Sequence, residues 1–169
     1  MSKLIEDLLR LAKTAQTGVC REAIDLSAIA REIAANLQAE SAGRSVEWMI
    51  EPNLRVEGDP GLLRIAMENL LSNARKYTGK NVQTRIEVGT ENQVHGGRAY
   101  YVRDNGVGFD MANAERLFAP FQRMHSDREF AGSGVGLATV QRIMLKHGGR
   151  IWATAAPGKG ATFRFTLSS

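Results

Sequence analysis

The sequence predicts an α+β fold in which helices cover one face of a mixed β-sheet. Three observations predict it: long segments with apolar residues at helical spacing, short apolar segments typical of strands, and turn residues between paired strands. Of the 169 residues, 43% are hydrophobic and 24% are charged, which is typical of one globular domain with a real core.

Two helices are predicted near the N-terminus. The first covers residues 3–16 and ends before a break at Gly18. Its apolar stripe consists of Leu4, Leu8, Leu11 and Ala15. The second covers LSAIAREIAANLQAES, with Asp25 or Ser27 as its N-cap. Because Gly18 is a candidate boundary, we expect the first helix to stand apart from the domain.

Two short strands and a long central helix are predicted next. VEWMIEP and LRVEG are typical of strands and are joined at Pro52 and Asn53. Asp59 followed by Pro60 indicates a helix start, because aspartate caps helices and proline suits the first helical position. This helix covers GLLRIAMENLLSNARKY and is expected to end near Gly79.

The second half of the chain predicts two hairpins around a polar loop and a helix. TRIEVGTE and RAYYVRD are joined by a turn at residues 95–97, and a glycine-bearing stretch follows over residues 105–133. VGLATVQRIMLKHGG predicts a helix closed by Gly148 and Gly149. RIWATAAP and ATFRFTL predict a last hairpin across residues 157–160.

The central helix carries a polar stripe. Asn69, Asn73 and Lys76 are spaced i, i+4 and i+7, so they share one helical face, although asparagine is a poor residue for a helix interior. A separate apolar face consists of Leu63, Met67, Leu70 and Ala74. The two amides could bind Mg²⁺ and the lysine could bind phosphate. A solvated helix face explains the same pattern, and both interpretations stay open at this point.

Asp104 ends a predicted strand and is followed by Gly106 and Gly108. A fixed carboxylate can accept a hydrogen bond from the amino group of adenine, and glycines let the backbone approach a flat ring closely. An ordinary turn is the competing interpretation, because Asp-Asn-Gly is common in turns.

GSGVGLATV places glycines directly before a predicted helix, where backbone N–H groups can face phosphate oxygens. The spacing differs from the dinucleotide-binding fingerprint, and no strand precedes it. A flexible loop before a helix start is the alternative.

Five motifs occur in one order: ENLLSNARKYT, DNGVGFD, FAPFQR, GSGVGLATV and GKGATF. Together they resemble the ATP-binding catalytic domain of bacterial sensor histidine kinases. This branch shares a superfamily (GHKL) with type II topoisomerases, Hsp90 chaperones and mismatch-repair ATPases. The resemblance covers about residues 25–169 and implies a two-layer α/β sandwich of the Bergerat type that binds ATP and Mg²⁺. FQRMHSDREF and GGRIWA are most similar to kinases with PAS or phytochrome-type sensors.

The resemblance implies roles at the matching positions of the central helix and the aspartate. Asn69 and Asn73 would hold Mg²⁺ between the phosphates. Lys76 would contact phosphate, and Tyr77 would lie near the nucleotide. Asp104 would bind the adenine amino group.

Other implied roles lie in the loops. Arg123 would face the γ-phosphate, and residues of about 122–133 would form a lid over ATP. The other implied nucleotide-binding residues are Gly106, Gly108, Phe118, Phe121, Gly132, Ser133, Gly134, Val135, Gly136 and Leu137. The implied catalytic residues are Asn69, Lys76 and Arg123.

The implied activity is transfer of the γ-phosphoryl group of Mg·ATP to a histidine on a helical hairpin. The ATP-hydrolysing relatives carry a glutamate four residues before the metal-binding asparagine. That position is Asn69 here, and the adjacent Glu68 is turned about 100° around the helix. Because the polar stripe carries no base, attack of water on the γ-phosphate should be slow, and the phosphoryl group is kept for another acceptor. This favours a kinase. The alternatives are a GHKL-type ATPase or conformational switch, and a noncatalytic nucleotide-binding module.

The expected phosphoacceptor histidine has no match. His95, His125 and His147 lack its flanking motif and are interpreted as surface or capping residues. Residues 1–20 are interpreted as the truncated tail of a dimerisation hairpin, and residues 21–169 as the ATP-binding domain. We expect this chain to bind Mg·ATP without phosphorylating itself and to be monomeric or weakly dimeric. The parent kinase is expected to be a homodimer that signals to a response-regulator receiver domain.

Composition limits the compartment and the partners. Cys20 is the single cysteine and cannot form an internal disulfide, which fits a reducing, cytoplasmic location. No apolar run approaches the roughly 20 residues of a membrane span, although the parent protein could be soluble or membrane-anchored. Glu6 and Asp7 argue against a signal peptide. The net charge of +4 suits an anionic ligand, but the basic residues form no block, so no nucleic-acid role is expected.

Overall fold

The computed structural model describes residues 3–40, 43–123 and 134–168. Helices α2, α3 and α4 pack against one face of a five-stranded sheet, which confirms the predicted α+β class. The helices are α1 (Lys3–Gln16), α2 (Leu26–Ala39), α3 (Pro60–Tyr77) and α4 (Gly136–Lys146). The strands are β1 (Glu22–Asp25), β2 (Val46–Ile50), β3 (Arg55–Gly58), β4 (Thr84–Asn92), β5 (Arg98–Asp104), β6 (Ile151–Ala155) and β7 (Ala161–Phe165).

The large sheet is mixed, with the strand order β2-β4-β5-β7-β6. β2 runs parallel to β4, and the other neighbours are antiparallel. β2 and β3 were expected as consecutive strands, but they belong to different sheets, because β3 pairs with β1. The sequence analysis did not predict β1, which has only four residues and is partly exposed.

The core lies between the helices and the inner face of the sheet. The predicted apolar face of α3 is buried throughout: Leu63, Met67, Leu70 and Ala74. It meets alternate side chains of the sheet, which include Ile86, Val88, Val102, Phe163 and Phe165. The buried face of α3 therefore fixes which of its other faces can be open to a cleft.

Aspartate residues cap the N-termini of two helices, as predicted. The Asp59 carboxylate accepts the backbone N–H of Leu62 at 3.0 Å at the start of α3. For α2, Asp25 rather than Ser27 is the cap, since its carboxylate accepts the N–H of Ala28 at 3.2 Å. Ser27 is fully buried in the first turn instead.

The predicted hairpins are present. Gly96 and Gly97 have positive φ between β4 and β5, and Gly158 and Gly160 have positive φ between β6 and β7. The polar stretch after β5 begins with a short 3₁₀ helix at Met111–Arg116.

Helix α1 does not stand apart from the domain, because it packs against α4. Leu8 and Leu11 of the predicted stripe are half-buried, whereas Leu4 is exposed together with Ile5 and Leu9. α1 therefore has a second apolar face without a partner among the described residues. Across the described ranges, no helix has the length and apolarity needed to cross a bilayer.

Candidate functional site

A cavity of about 650 Å³ is formed by α3, the end of β5 and the start of α4. This volume is typical of small-molecule sites. The predicted site residues that line it are Asn69, Asn73, Lys76, Tyr77, Asp104, Gly108, Arg123, Gly134, Gly136 and Leu137. The fold thus brings the polar stripe of α3 and the aspartate of β5 into one cavity.

The position of Asn69 is set by hydrogen bonding and by close packing. Its side-chain NH₂ donates to the Ile65 carbonyl at 2.9 Å, which leaves the amide oxygen as the group available for a ligand. A Cβ on Gly136 would lie 2.8 Å from that oxygen. A side chain at residue 136 would therefore displace the Asn69 amide from this position.

The amide oxygens of Asn69 and Asn73 fit a metal ion that is shared with phosphates. Both side chains line the cavity, and amide oxygens are hard, neutral ligands. Within the described part of the chain, no group of three or more His, Cys, Asp or Glu residues could hold a metal by itself. Mg²⁺ normally uses few protein ligands and completes its octahedron with water and substrate phosphates. The donor set therefore fits Mg²⁺ on a polyphosphate.

Cationic side chains gather in the cavity. Burial, followed by the nearby charges of Arg123 and Lys3, lowers the pKa of Lys76 to about 8. The Lys76 ammonium lies 4.8 Å from the ring centre of Tyr77. Burial raises the pKa of the Tyr77 phenol. A partly desolvated lysine beside an arginine is stabilised by an anion, so this region suits phosphate.

Asp104 is a buried carboxylate, only 7% exposed, at the end of β5. Burial raises its pKa to about 6, against the opposing effect of hydrogen bonds from the N–H groups of Gly106 and Ala161. The bond from Gly106 measures 2.8 Å. Burying an ionisable carboxyl costs stability, so its position in a cavity wall indicates a functional group.

Apolar side chains complete the cavity. They are Ile33, Leu37, Phe109, Leu117, Leu137, Ala161 and Phe163. Such a wall can pack against a flat ring whose polar edge meets a carboxylate. The sequence analysis quoted the motifs that contain Phe109 and Phe163 but assigned no role to these side chains.

Gly106 and Gly108, which follow Asp104, allow close packing of the backbone. A Cβ on Gly106 would lie 2.4 Å from the Tyr77 carbonyl oxygen, and one on Gly108 would lie 2.0 Å from the Ala156 carbonyl oxygen. Only Gly108 lines the cavity. Both glycines therefore let the chain approach neighbouring backbone closely, and Gly106 lets its loop pack on α3. Their expected approach to a flat ring stays a prediction.

Besides Gly106, three predicted contact residues among those described do not line the cavity. Phe118 is half-buried, with its ring edge-on to Phe163 at a centroid distance of 6.4 Å. Phe121 is 59% exposed and has a φ of 65°. Val135 is fully buried directly before α4. Their proposed contacts with nucleotide stay predictions.

The predicted lid, residues 122–133, lies mostly outside the described residues, as do Gly132 and Ser133. The flanking backbone is described: the N–H of Phe121 donates to the Gly134 carbonyl at 2.9 Å. Phe121 and Gly134, which flank this segment, therefore meet, and Gly134 lines the cavity.

The sequence analysis missed the contribution of α1. Lys3, Asp7 and Arg10 line the same cavity, and the Arg10 guanidinium pairs with the Glu68 carboxylate at 3.4 Å. No motif could have revealed this, because the contact joins residues 58 positions apart.

The two described histidines lie outside the cavity lining. His95 is exposed in a hairpin turn, as predicted. His147 caps α4 and is fully buried; its Nε2 accepts the N–H of Asp59 at 3.0 Å, so its Nδ1–H donates to the Ile143 carbonyl at 2.7 Å. His125 lies outside the described residues.

Comparison with known sequences identifies the family. The family described as histidine kinase-, DNA gyrase B-, and HSP90-like ATPase matches residues 58–169. The methanogenesis regulatory histidine kinase FilI of Methanothrix harundinacea is 34% identical over 168 residues, which cover 99% of this chain and 19% of that protein. Cyanobacterial phytochrome A of Nostoc sp. is 31% identical over 167 residues, which cover 99% of this chain and 22% of that protein.

Solved structures agree with the sequence relatives. The mycobacterial sensor histidine kinase MprB superposes with a TM-score of 0.72 and 27% identity, over 86% of this chain and 97% of that one. The chain spans about a fifth of the length of the two curated relatives above. It belongs to the histidine kinase-, DNA gyrase B- and HSP90-like ATPase family, and within that family to the ATP-binding domains of sensor histidine kinases.

Proposed function

We propose that this chain binds Mg·ATP in the cavity and transfers the γ-phosphoryl group to a histidine on a helical hairpin of the parent kinase. The observation that carries the proposal is the composition of the cavity. Its lining includes the buried Asp104 carboxylate, the amide side chains of Asn69 and Asn73, and several cations, among them Lys76 and Arg123. A purine nucleoside triphosphate with Mg²⁺ needs a partner of each kind.

Asp104 would recognise the adenine base. Its ionised carboxylate accepts a hydrogen bond from the adenine amino group, and the apolar wall packs against the ring. Guanine presents an oxygen at the equivalent position, which is an acceptor and would leave the carboxylate unpaired. The site should therefore prefer ATP over GTP.

The polar stripe and Arg123 would hold the phosphates. Lys76 and Arg123 bind the phosphate oxygens and stabilise the charge that develops as the phosphoryl group leaves. Asn69 and Asn73 would hold Mg²⁺, which neutralises phosphate charge when bound. Asn69, Lys76 and Arg123 are thus the proposed catalytic residues.

The surroundings of Glu68 support a kinase over an ATPase. Hydrolysis needs a base that activates water, but the stripe carries neutral Asn69 one residue away. The Glu68 carboxylate is paired with Arg10 at 3.4 Å. An ATPase would instead show steady ATP turnover that is lost in Glu68→Gln.

Helix α1 is proposed to be the tail of the dimerisation hairpin, with residues 1–20 in that element and residues 21–169 in the ATP-binding domain. Its exposed apolar stripe of Leu4, Ile5 and Leu9 supports this, because such a face packs in a helix bundle. We propose a homodimeric parent kinase that signals to a response-regulator receiver domain. This chain alone should be a monomer or a weak dimer, which light scattering measures.

Two experiments test the proposal. Titration with a non-hydrolysable ATP analogue should show tight binding with Mg²⁺, weaker binding without it, and loss of binding in Asp104→Asn. Incubation with labelled ATP and a separately supplied histidine-bearing hairpin should label the hairpin and not this chain. Unchanged affinity in Asp104→Asn would remove the base contact, and binding without transfer would favour a noncatalytic module. Stable phosphate on His95 or His147 would contradict the assignment of the acceptor.

A further inference from the structure

Arg44 lies outside the cavity lining, yet its guanidinium closes the C-terminal end of α3. One terminal nitrogen donates to the Arg75 carbonyl at 2.8 Å. The other donates to the hydroxyls of Thr78 at 2.7 Å and Thr84 at 3.1 Å. Arg44 thereby joins the last turn of α3 to the first residue of β4.

Arg44 adds a donor at the C-terminal end of α3. The last carbonyls of a helix lack intrahelical partners, and a glycine with positive φ often closes the end. Here the cap residue Thr78 has a φ of −100°, and Gly79 does not have a positive φ. A guanidinium offers several donors in one plane, and its charge suits the negative end of the helix. The Thr78 hydroxyl also lies 2.9 Å from the Ala74 and Arg75 carbonyls, so Arg44 caps this end of the helix together with Thr78.

The turn that Arg44 holds carries three cavity residues, Arg75, Lys76 and Tyr77. On its other side, the Tyr77 carbonyl accepts the N–H of Val107 at 3.1 Å. Gly106 packs so closely that a Cβ would lie 2.4 Å from the same carbonyl oxygen. The last turn of α3 is therefore held between Arg44 and the loop that follows β5.

We propose that Arg44 is a positioning residue for nucleotide binding, which holds the last turn of α3 so that Lys76 faces the phosphates. This inference rests on the proposed function and adds to it a residue outside the cavity lining. The base-reading carboxylate belongs to β5, whose position is set by its neighbours β4 and β7. Loss of Arg44 should therefore weaken binding of the phosphates more than binding of the base.

The test compares ATP with adenosine, which lacks phosphates. Calorimetric titration of the full chain with Mg·ATP and with adenosine gives both dissociation constants, at a temperature where circular dichroism shows each variant folded. Arg44→Met should raise the dissociation constant of Mg·ATP about tenfold and change the dissociation constant of adenosine less than about twofold. Arg44→Lys should give an intermediate result, because one ammonium group cannot reach all three acceptors.

Two further variants serve as a control and as a backup. Arg85 is a matched arginine on β4 whose side chain pairs with Glu47 at 3.0 Å on the surface. Arg85→Lys should leave the ratio of ATP to adenosine affinity unchanged. Thr78→Val removes, with little change in shape, a hydroxyl that accepts from Arg44 and also contacts the Ala74 and Arg75 carbonyls. It loosens the same turn and should shift the ratio in the same direction as Arg44→Met.

The outcomes separate this inference from the proposed function. If folded Arg44 variants keep the wild-type ratio, or lose ATP and adenosine affinity equally, Arg44 has a structural role only. If the Arg44 variants do not fold, an unchanged ratio in Thr78→Val overturns the inference. If the wild-type chain binds neither ligand, the proposed function itself is wrong, and that titration shows it before any variant is measured.

Discussion

The pH dependence of ATP binding tests the role of Lys76. Burial, with Arg123 and Lys3 nearby, lowers its pKa to about 8. Phosphate oxygens bind the ammonium form, so the neutral amine should bind ATP poorly. With this pKa, the protonated fraction is about nine-tenths at pH 7 and about one-tenth at pH 9. The dissociation constant of Mg·ATP should therefore rise about tenfold between these two pH values.

The same pKa shift has the opposite sign for stability of the ligand-free chain. The folded pKa of Lys76 is about 8, below the ordinary value of 10.5 that applies when the chain is unfolded. Between these values the unfolded chain binds more protons, so the free energy of unfolding should increase as pH rises from about 8 to about 10.5. Stability should thus rise where ATP affinity falls.

Titration calorimetry at pH 7, 8 and 9, with urea unfolding at the same pH values, measures both trends. At pH 8, two buffers of different ionisation enthalpy should reveal uptake of about half a proton on binding. Lys76→Arg stays charged over this range and should flatten both trends. Equal ATP affinity at pH 7 and 9, or the same slope in Lys76→Arg, would refute the reasoning.

Three other predictions concern the stability and the hydrolytic activity of single variants. Asp104→Asn should raise the melting temperature of the ligand-free chain at pH 7, measured by calorimetry. The folded pKa of Asp104 is about 6 and lies above the ordinary 3.8, so the ionised carboxylate destabilises the folded chain at pH 7. A lower melting temperature in the variant would contradict this. Gly106→Ala should lower the free energy of unfolding in urea by about 2 kcal/mol or more, because its Cβ would meet the Tyr77 carbonyl oxygen at 2.4 Å. Gly61→Ala, whose Cβ has its nearest contact at 3.4 Å, should raise the free energy of unfolding by about 0.5–1 kcal/mol. Equal effects at the two glycines would count against the packing argument. Glu68→Gln should leave the slow release of phosphate from ATP unchanged in a coupled assay, and a large drop would favour an ATPase.

Local chemistry was enough to predict α3 and its polar stripe. The acid before Pro60 marks the start of the helix, and residues spaced i, i+4 and i+7 must share a face in any helix. Asp104 was likewise predictable, because a lone acid at the end of an apolar strand is unusual. The resemblance to histidine kinases then joined these features into one site.

Contacts between distant segments could not be predicted in the same way. β2 and β3 follow each other in sequence, but pairing depends on which edge each strand can reach, and β3 pairs with the unpredicted β1. Lys3 and Arg10 line the cavity because α1 packs on α4, which no local pattern encodes. Arg44 follows a glycine in a short connection and carries no motif, although it closes the end of the central helix.

The most direct measurement is a crystal structure of this chain with Mg²⁺ and a non-hydrolysable ATP analogue. We expect the adenine amino group within hydrogen-bond distance of the Asp104 carboxylate and the phosphates against Lys76 and Arg123. The metal ion should lie on the amide oxygens of Asn69 and Asn73. A nucleotide bound elsewhere, or one whose base makes no contact with Asp104, would contradict the proposed site.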